Sequence, residues 1–133
     1  MNDWRTFSLR ILKAAWGIAI DLRARAVFSA LAPPGLLGAG QRVLLDVRRV
    51  QQAAADVEQL QAGLRAMSTA LEASIKHGFI VIEIGEVVYT PSDYQPEGLA
   101  AAMVSWLSEE FGLESPMKDV RFDRQNNKYI FSL

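Results

Sequence analysis

The chain is 133 residues long, half of them apolar and 22% charged, which fits one globular domain and excludes a disordered polar tract. Fourteen basic side chains stand against fifteen acidic ones for a formal net charge of −1, a balance that argues against a dedicated nucleic-acid binder with a basic surface. The lack of cysteine excludes disulfides, thiolate zinc sites and a cysteine nucleophile, and a single histidine excludes any triad that needs two.

In chain order, the first expected element is a helix from Asp3 to Leu31. Trp4, Phe7, Ile11, Ala14, Ala15, Ile18 and Leu22 recur at steps of three and four residues, and Asn2 or Asp3 can cap the start. Leu12, Trp16, Ile20 and Val27 make a second apolar side, so this helix is expected to pack against two things, one of them another molecule. The charge-free run Ala14 to Ile20 is far shorter than the ~20 residues a bilayer crossing demands. Asp21 and two arginines follow it without a secretory cleavage site, so the expected location is the cytoplasm, or a virion or cytoplasm-facing complex, rather than outside the cell.

Ala32 to Gly40 (APPGLLGAG) is a loop, because Pro33 disfavours helical angles at Ala32 and three glycines supply turns. From Gln41 to His77 a long second helix is expected. Val43, Val47, Val50, Ala54, Val57, Leu60, Leu64, Met67, Leu71 and Ile75 form one stripe with a mean step of about 3.56, between a coiled coil and a straight helix. Gln61 and Ser68 interrupt the strict heptad seam, which favours an antiparallel helical hairpin over a long parallel coiled coil. At ~1.5 Å per residue the helix would run ~55 Å, longer than one small core covers, an argument for oligomerisation. Gly63 is a weak point, at up to ~1 kcal/mol relative to alanine.

Lys76 and His77 suit a last helical turn and Gly78 a left-handed C′ position. Phe79 to Thr90 (FIVIEIGEVVYT) is rich in β-branched residues and reads as two strands around a Gly85-Glu86 hairpin turn. Pro91 to Pro96 is a loop. Glu97 to Phe111 is a third helix, with Leu99, Met103, Trp106, Leu107 and Phe111 on one face and Gly112 past its end. Val120 to Asp123 and Lys128 to Leu133 are strands around an Arg-Gln-Asn-Asn turn. The expected architecture is α+β: a helical hairpin or arm over residues 1–77, then a small β-β-α-β-β head over 78–133 with one packed helix, folding as one cooperative unit.

The small net charge conceals a division. Residues 1–52 carry eight basic and three acidic side chains, +5, and the remainder carries six basic and twelve acidic, −6. On a hairpin, Arg23 and Arg25 would meet Arg42, Arg48 and Arg49 at one elbow, able to grip phosphates of nucleic acid or anionic lipid. The competing expectation, and the preferred one, is ion pairing with the acidic second part, within or between subunits. Chemistry has few materials: His77 is explained by its helix-end position, Glu83 and Glu86 at a hairpin tip are solvated carboxylates, and Ser92 has no base to activate it. No phosphate-binding glycine loop matches, because Gly35, Gly38 and Gly40 follow a helix and lack a lysine.

No catalytic residue, cofactor, metal or small-molecule substrate is therefore inferred, and no motif identifies a family. The expected function is a non-enzymatic structural or adaptor subunit that oligomerises or docks into a larger protein assembly through its N-terminal helices, as in a phage tail or baseplate or a secretion machine. The interface candidates are Trp4, Phe7, Ile11, Trp16, Ile20, Arg23, Arg25, Arg42, Arg48 and Arg49, with Trp16 foremost and Trp106 assigned to the core. The expected partners are copies of itself or other protein subunits. The alternative is a binding module whose arginine-rich elbow meets nucleic acid or anionic membrane.

Overall fold

The computed structural model describes residues 3–133, so Asn2, the alternative cap, lies outside them. The chain starts with an antiparallel hairpin, β1 (Arg5–Leu12) and β2 (Gly17–Ser29), where a helix was expected. Its dense apolar content fits three- and four-residue steps only incidentally. The stricter pattern is alternation: Leu9, Ile18, Ile20, Leu22, Ala24 and Ala26 are buried, while Ser8, Arg10, Asp21, Arg23 and Arg25 stand between them and point the other way.

The expected long helix over 41–77 is likewise replaced. The two-residue β3 (Leu37–Gly38) pairs with β4 (Val43–Asp46), and a turn over 47–50 leads to α1 (Ala54–Ala66) and α2 (Ser68–Ala73). The start of the apolar stripe is β-branched and extended, with Val43 and Leu45 inward. Only its later part, Leu60, Leu64, Met67 and Leu71, is a helical face, and even that breaks at Met67. There is no helical hairpin and no coiled coil among the described residues.

β5 (Phe79–Tyr89) is one continuous strand where two were expected. Gly85 does not turn the chain: it is the extra residue of a β-bulge, since Ala24 pairs with Ile84 and Arg23 with Glu86. β5 lies between β2, antiparallel, and β4, parallel, giving a mixed five-stranded sheet in the order β1-β2-β5-β4-β3. The boundary expected at 77/78 therefore falls inside the connection between two neighbouring strands of one sheet. α3 (Glu97–Phe111) has the expected bounds and ends at Gly112 with φ 64°. β6 (Asp119–Asp123) and β7 (Lys128–Ser132) form a separate two-stranded sheet.

The inward rows of β1, β2, β4 and β5 pack under α1 and α3, which cover one face of the sheet. Two glycines set this packing: Gly98 brings α3 onto Ile18 and Ile20, and Gly63 brings α1 onto Ala100 and Met103. Trp106 is fully buried, as expected, and its Nε1 donates to the Arg5 carbonyl at 2.9 Å. Tyr129 secures the C-terminal hairpin. Its hydroxyl accepts from Lys13 N and donates to Trp16 O, and the Gln95 amide bridges its backbone N–H and carbonyl. No helix among the described residues is long and apolar enough to cross a membrane.

Candidate binding face

The other face of the sheet carries no helix among the described residues, and alternation decides what stands on it. Thr6, Ser8 and Arg10 of β1, Asp21, Arg23, Arg25 and Val27 of β2, and Val81, Glu83, Glu86 and Val88 of β5 point outward. One row crosses four positions: Trp4, one residue before β1, stands opposite Arg25, which pairs with Glu83, which pairs with Asp46.

Trp4 reaches across β2 to lie on Gly85, where a Cβ would come within 2.7 Å of the ring. The bulge glycine thus makes room for the indole. Around the ring are three guanidinium groups, with the Cζ atoms of Arg25, Arg23 and Arg49 at 4.5, 5.2 and 5.5 Å from its centroid, within cation–π range. Arg25 Nε donates to Glu83 Oε1 at 2.5 Å, and Arg49 approaches the same oxygen at 3.5 Å. Arg48 grips the buried Asp46 through its backbone N–H, Nε and Nη2, and these hydrogen bonds hold the Asp46 carboxyl below the usual carboxylate range. An open hollow of about 470 Å³ beside the ring is lined by Asp3, Trp4, Arg5 and Glu110.

Of the interface candidates, Trp4, Arg23, Arg25, Arg48 and Arg49 come together on this face, although no helical elbow gathers them. Register gathers the first three and the turn after β4 supplies the last two. Phe7, Ile11 and Ile20 are on the inward face, where Ile20 is fully buried. Trp16 is in the β1–β2 turn, edge-on to Tyr129 and Phe122, with Nε1 donating to Asn127 Oδ1 at 3.0 Å. Arg42 serves helix ending: its guanidinium donates to the carbonyls of Glu72, Ile75 and Gly78, and its backbone N–H to the Glu72 carboxylate. The preferred expectation for the charges holds within one molecule, Arg25 and Arg49 pairing with Glu83, and Arg5 with Glu109 and Glu110, although no separate arm and head carry them.

Glu83 and Glu86 flank the bulge on one extended strand and do not converge with His77. His77 is exposed ahead of β5, separated from Glu83 by the left-handed Gly78 and the first four residues of the strand. No group of three or more metal-ligating side chains occurs among the described residues. A second polar cluster escaped the sequence reading. The Tyr89 and Tyr94 rings stack at 3.6 Å, and both hydroxyls donate to the buried Asp56 carboxylate in the first turn of α1. Burial, then the bonds to Asp56, push both phenols above the ordinary tyrosine range, which suits them to tying α1 to the loop before α3 rather than to proton transfer. Nothing local to Asp56 in sequence announces two aromatic partners more than thirty residues away.

Comparison with protein-family models, with curated proteins and with solved structures found no match to this chain.

Proposed function

We propose that this chain is a non-enzymatic binding module that docks onto a partner protein through the helix-free face of its sheet. The observation that carries the reading is Trp4 lying on Gly85 beneath the guanidinium groups of Arg23, Arg25 and Arg49. Tryptophan and arginine are the residues that concentrate binding energy at protein interfaces, and here they are presented on a rigid strand scaffold. Docking through N-terminal helices is not part of this reading, because those segments are strands.

Charge separates protein docking from the polyanion alternative. Arg25, Arg48 and Arg49 are paired with Glu83 or Asp46, and Glu86 stands opposite Arg23. Four guanidinium groups against three carboxylates leave little unneutralised charge for a phosphate backbone, whose binding grows with each cation it meets. The same balance suits a partner surface of mixed polarity, with acceptors for the guanidinium edges gathered over Trp4 and an apolar side chain for the exposed Val88. The separation of His77 from the glutamates supports the non-enzymatic part of the reading.

A benzophenone amino acid placed at Arg23, on the face, and separately at Arg124, in the β6–β7 turn, tests this in the native cell. A discrete adduct with another protein at position 23 alone is the expected result. Equal labelling at both positions, or none at Arg23, overturns it. Retention on heparin that collapses with rising salt, without an adduct at Arg23, supports the polyanion alternative instead.

A further inference from the structure

The five-stranded sheet has two ends of different kinds. One finishes in β3, only two residues long. The other finishes in β1, eight residues long, whose outer edge meets no strand among the described residues. Sheet edges of this length are commonly blunted with proline, a bulge or charged side chains; β1 has no proline and no bulge, and its two arginines, Arg5 and Arg10, are held by Glu109, Glu110 and Asp21 of the same chain. A further oddity is Leu12, 75% exposed at the end of the same strand.

We infer that β1 pairs antiparallel with β1 of a second copy, about a two-fold axis at Ser8, to form one continuous ten-stranded sheet. An unpaired edge offers backbone N–H and C=O groups in a row, and what satisfies it is another strand. Self-pairing must keep inward residues opposite inward ones, so the axis has to fall on a residue and not between two. With the axis at Leu9, Arg5 faces the second copy's Lys13, and with the axis at Arg10 the two Arg10 side chains face each other, both like-charge pairings. With the axis at Phe7, Trp4 comes opposite Arg10 and Leu12 passes beyond the overlap. At Ser8, Phe7 sits opposite Leu9 and extends the core row, Thr6 sits opposite Arg10, and no like charges meet. The same register brings exposed Leu12 alongside the start of the second copy's β1, at the Trp4 position, so it no longer ends a free edge, while the Trp4 ring itself stays over Gly85. This dimer joins sheet edges, leaving Arg23, Arg25 and Arg49 facing outward for the partner proposed above.

The natural lack of cysteine makes the test clean. Ser8→Cys puts two thiols directly opposite across the axis, within the span of a disulfide, while Leu12→Cys separates them by roughly 26 Å. Mild oxidation at micromolar concentration is expected to give the covalent dimer about tenfold faster for Ser8→Cys than for Leu12→Cys, against a background chain that sediments at twice 14.7 kDa. Ser8→Lys, which can pair with Asp21 of its own chain, is expected to yield a folded monomer by circular dichroism and sedimentation. A wild-type chain that stays monomeric at every attainable concentration, a Ser8→Lys chain that stays dimeric, or equal cross-linking at positions 8 and 12 overturns the proposal. Photo-adducts at Arg23 are unaffected by the Ser8 variants, so failure of the dimer and failure of the docking face are told apart.

Discussion

The indole of Trp4 lies on the backbone of Gly85, close enough that an alanine methyl there would stand 2.7 Å from Cζ3 and 2.9 Å from Cε3 of the ring. Two residues 81 positions apart in sequence thus depend on each other. Gly85→Ala is expected to dislodge the ring and cost about 1–3 kcal/mol, as overpacking does. In a Trp4→Ala background the same change is expected to be neutral or slightly stabilising, since alanine loses less chain entropy than glycine. Urea denaturation of the four proteins gives the coupling directly, and additive costs would mean the contact is not formed.

Gly63 reverses a propensity argument. In an isolated helix alanine is favoured over glycine by about 1 kcal/mol. Here a Cβ would meet the Ala100 carbonyl oxygen at 2.6 Å and Met103 Cβ at 2.9 Å, neither of which can swing away. Gly63→Ala is therefore expected to destabilise, by about 1–3 kcal/mol, by wedging α1 from α3. A rise in the thermal midpoint would show that the helices separate without penalty.

The paired phenols predict an alkaline limb. Tyr89 and Tyr94 have folded pKa values raised above their unfolded value, so they stay neutral in the native chain while the unfolded chain ionises. Their contribution is full below about pH 10 and is lost as pH rises beyond it. Tyr94→Phe is expected to flatten that loss while costing about 1 kcal/mol at neutral pH for the hydrogen bond to Asp56. Stability against pH from 8 upward measures both, and an unchanged slope would contradict the assignment.

Asp46 predicts an acid limb of opposite sense. Its carboxyl is buried and held below the usual range by Arg48, so the stability it confers is present above the unfolded carboxylate pKa of 3.8 and is lost as pH falls through the lower folded value. Asp46→Asn is expected to be less stable than the native chain at neutral pH and to lose less stability below about pH 4. Urea midpoints across the acid range check both expectations.

The parts of the fold legible in the sequence were those where one pattern had no rival. α3 carries a continuous apolar set ended by Gly112, and its bounds were read correctly because no period-two alternative fits AAAMVSWL. β6 and β7 alternate on either side of a polar turn. The first thirty residues failed because they satisfy two periods at once: Phe7, Ile11, Ile18 and Leu22 fit a helix, while Ile18, Ile20, Leu22, Ala24 and Ala26 fit a strand. The alternating charges Asp21, Arg23 and Arg25 are the deciding signal, since a strand puts all three on one face whereas a helix would set Arg23 opposite Asp21 and Arg25. Gly85 looked like a turn because a bulge and a hairpin ask for the same residue, and only the partner strand distinguishes them. The arginines gathered on the helix-free face meet through strand register and the turn after β4 and not at a helical elbow, and the roles of Glu83 and Asp46, which hold three of them, follow only from β4 lying beside β5.

The position of β5 has a consequence for synthesis. β2 and β4 both border it, so each lacks one of its two sheet neighbours, and the two hairpins β1-β2 and β3-β4 stay unjoined, while the nascent chain ends before Phe79. The turn from Lys13 to Trp16 waits longer still, because the hydroxyl that fastens it belongs to Tyr129. The earliest strands to leave the ribosome can form their hairpin at once but reach their full set of sheet and core contacts only after β5 and α3 are made. A nascent chain of this kind exposes an apolar hairpin for most of its translation, the condition under which molecular chaperones engage.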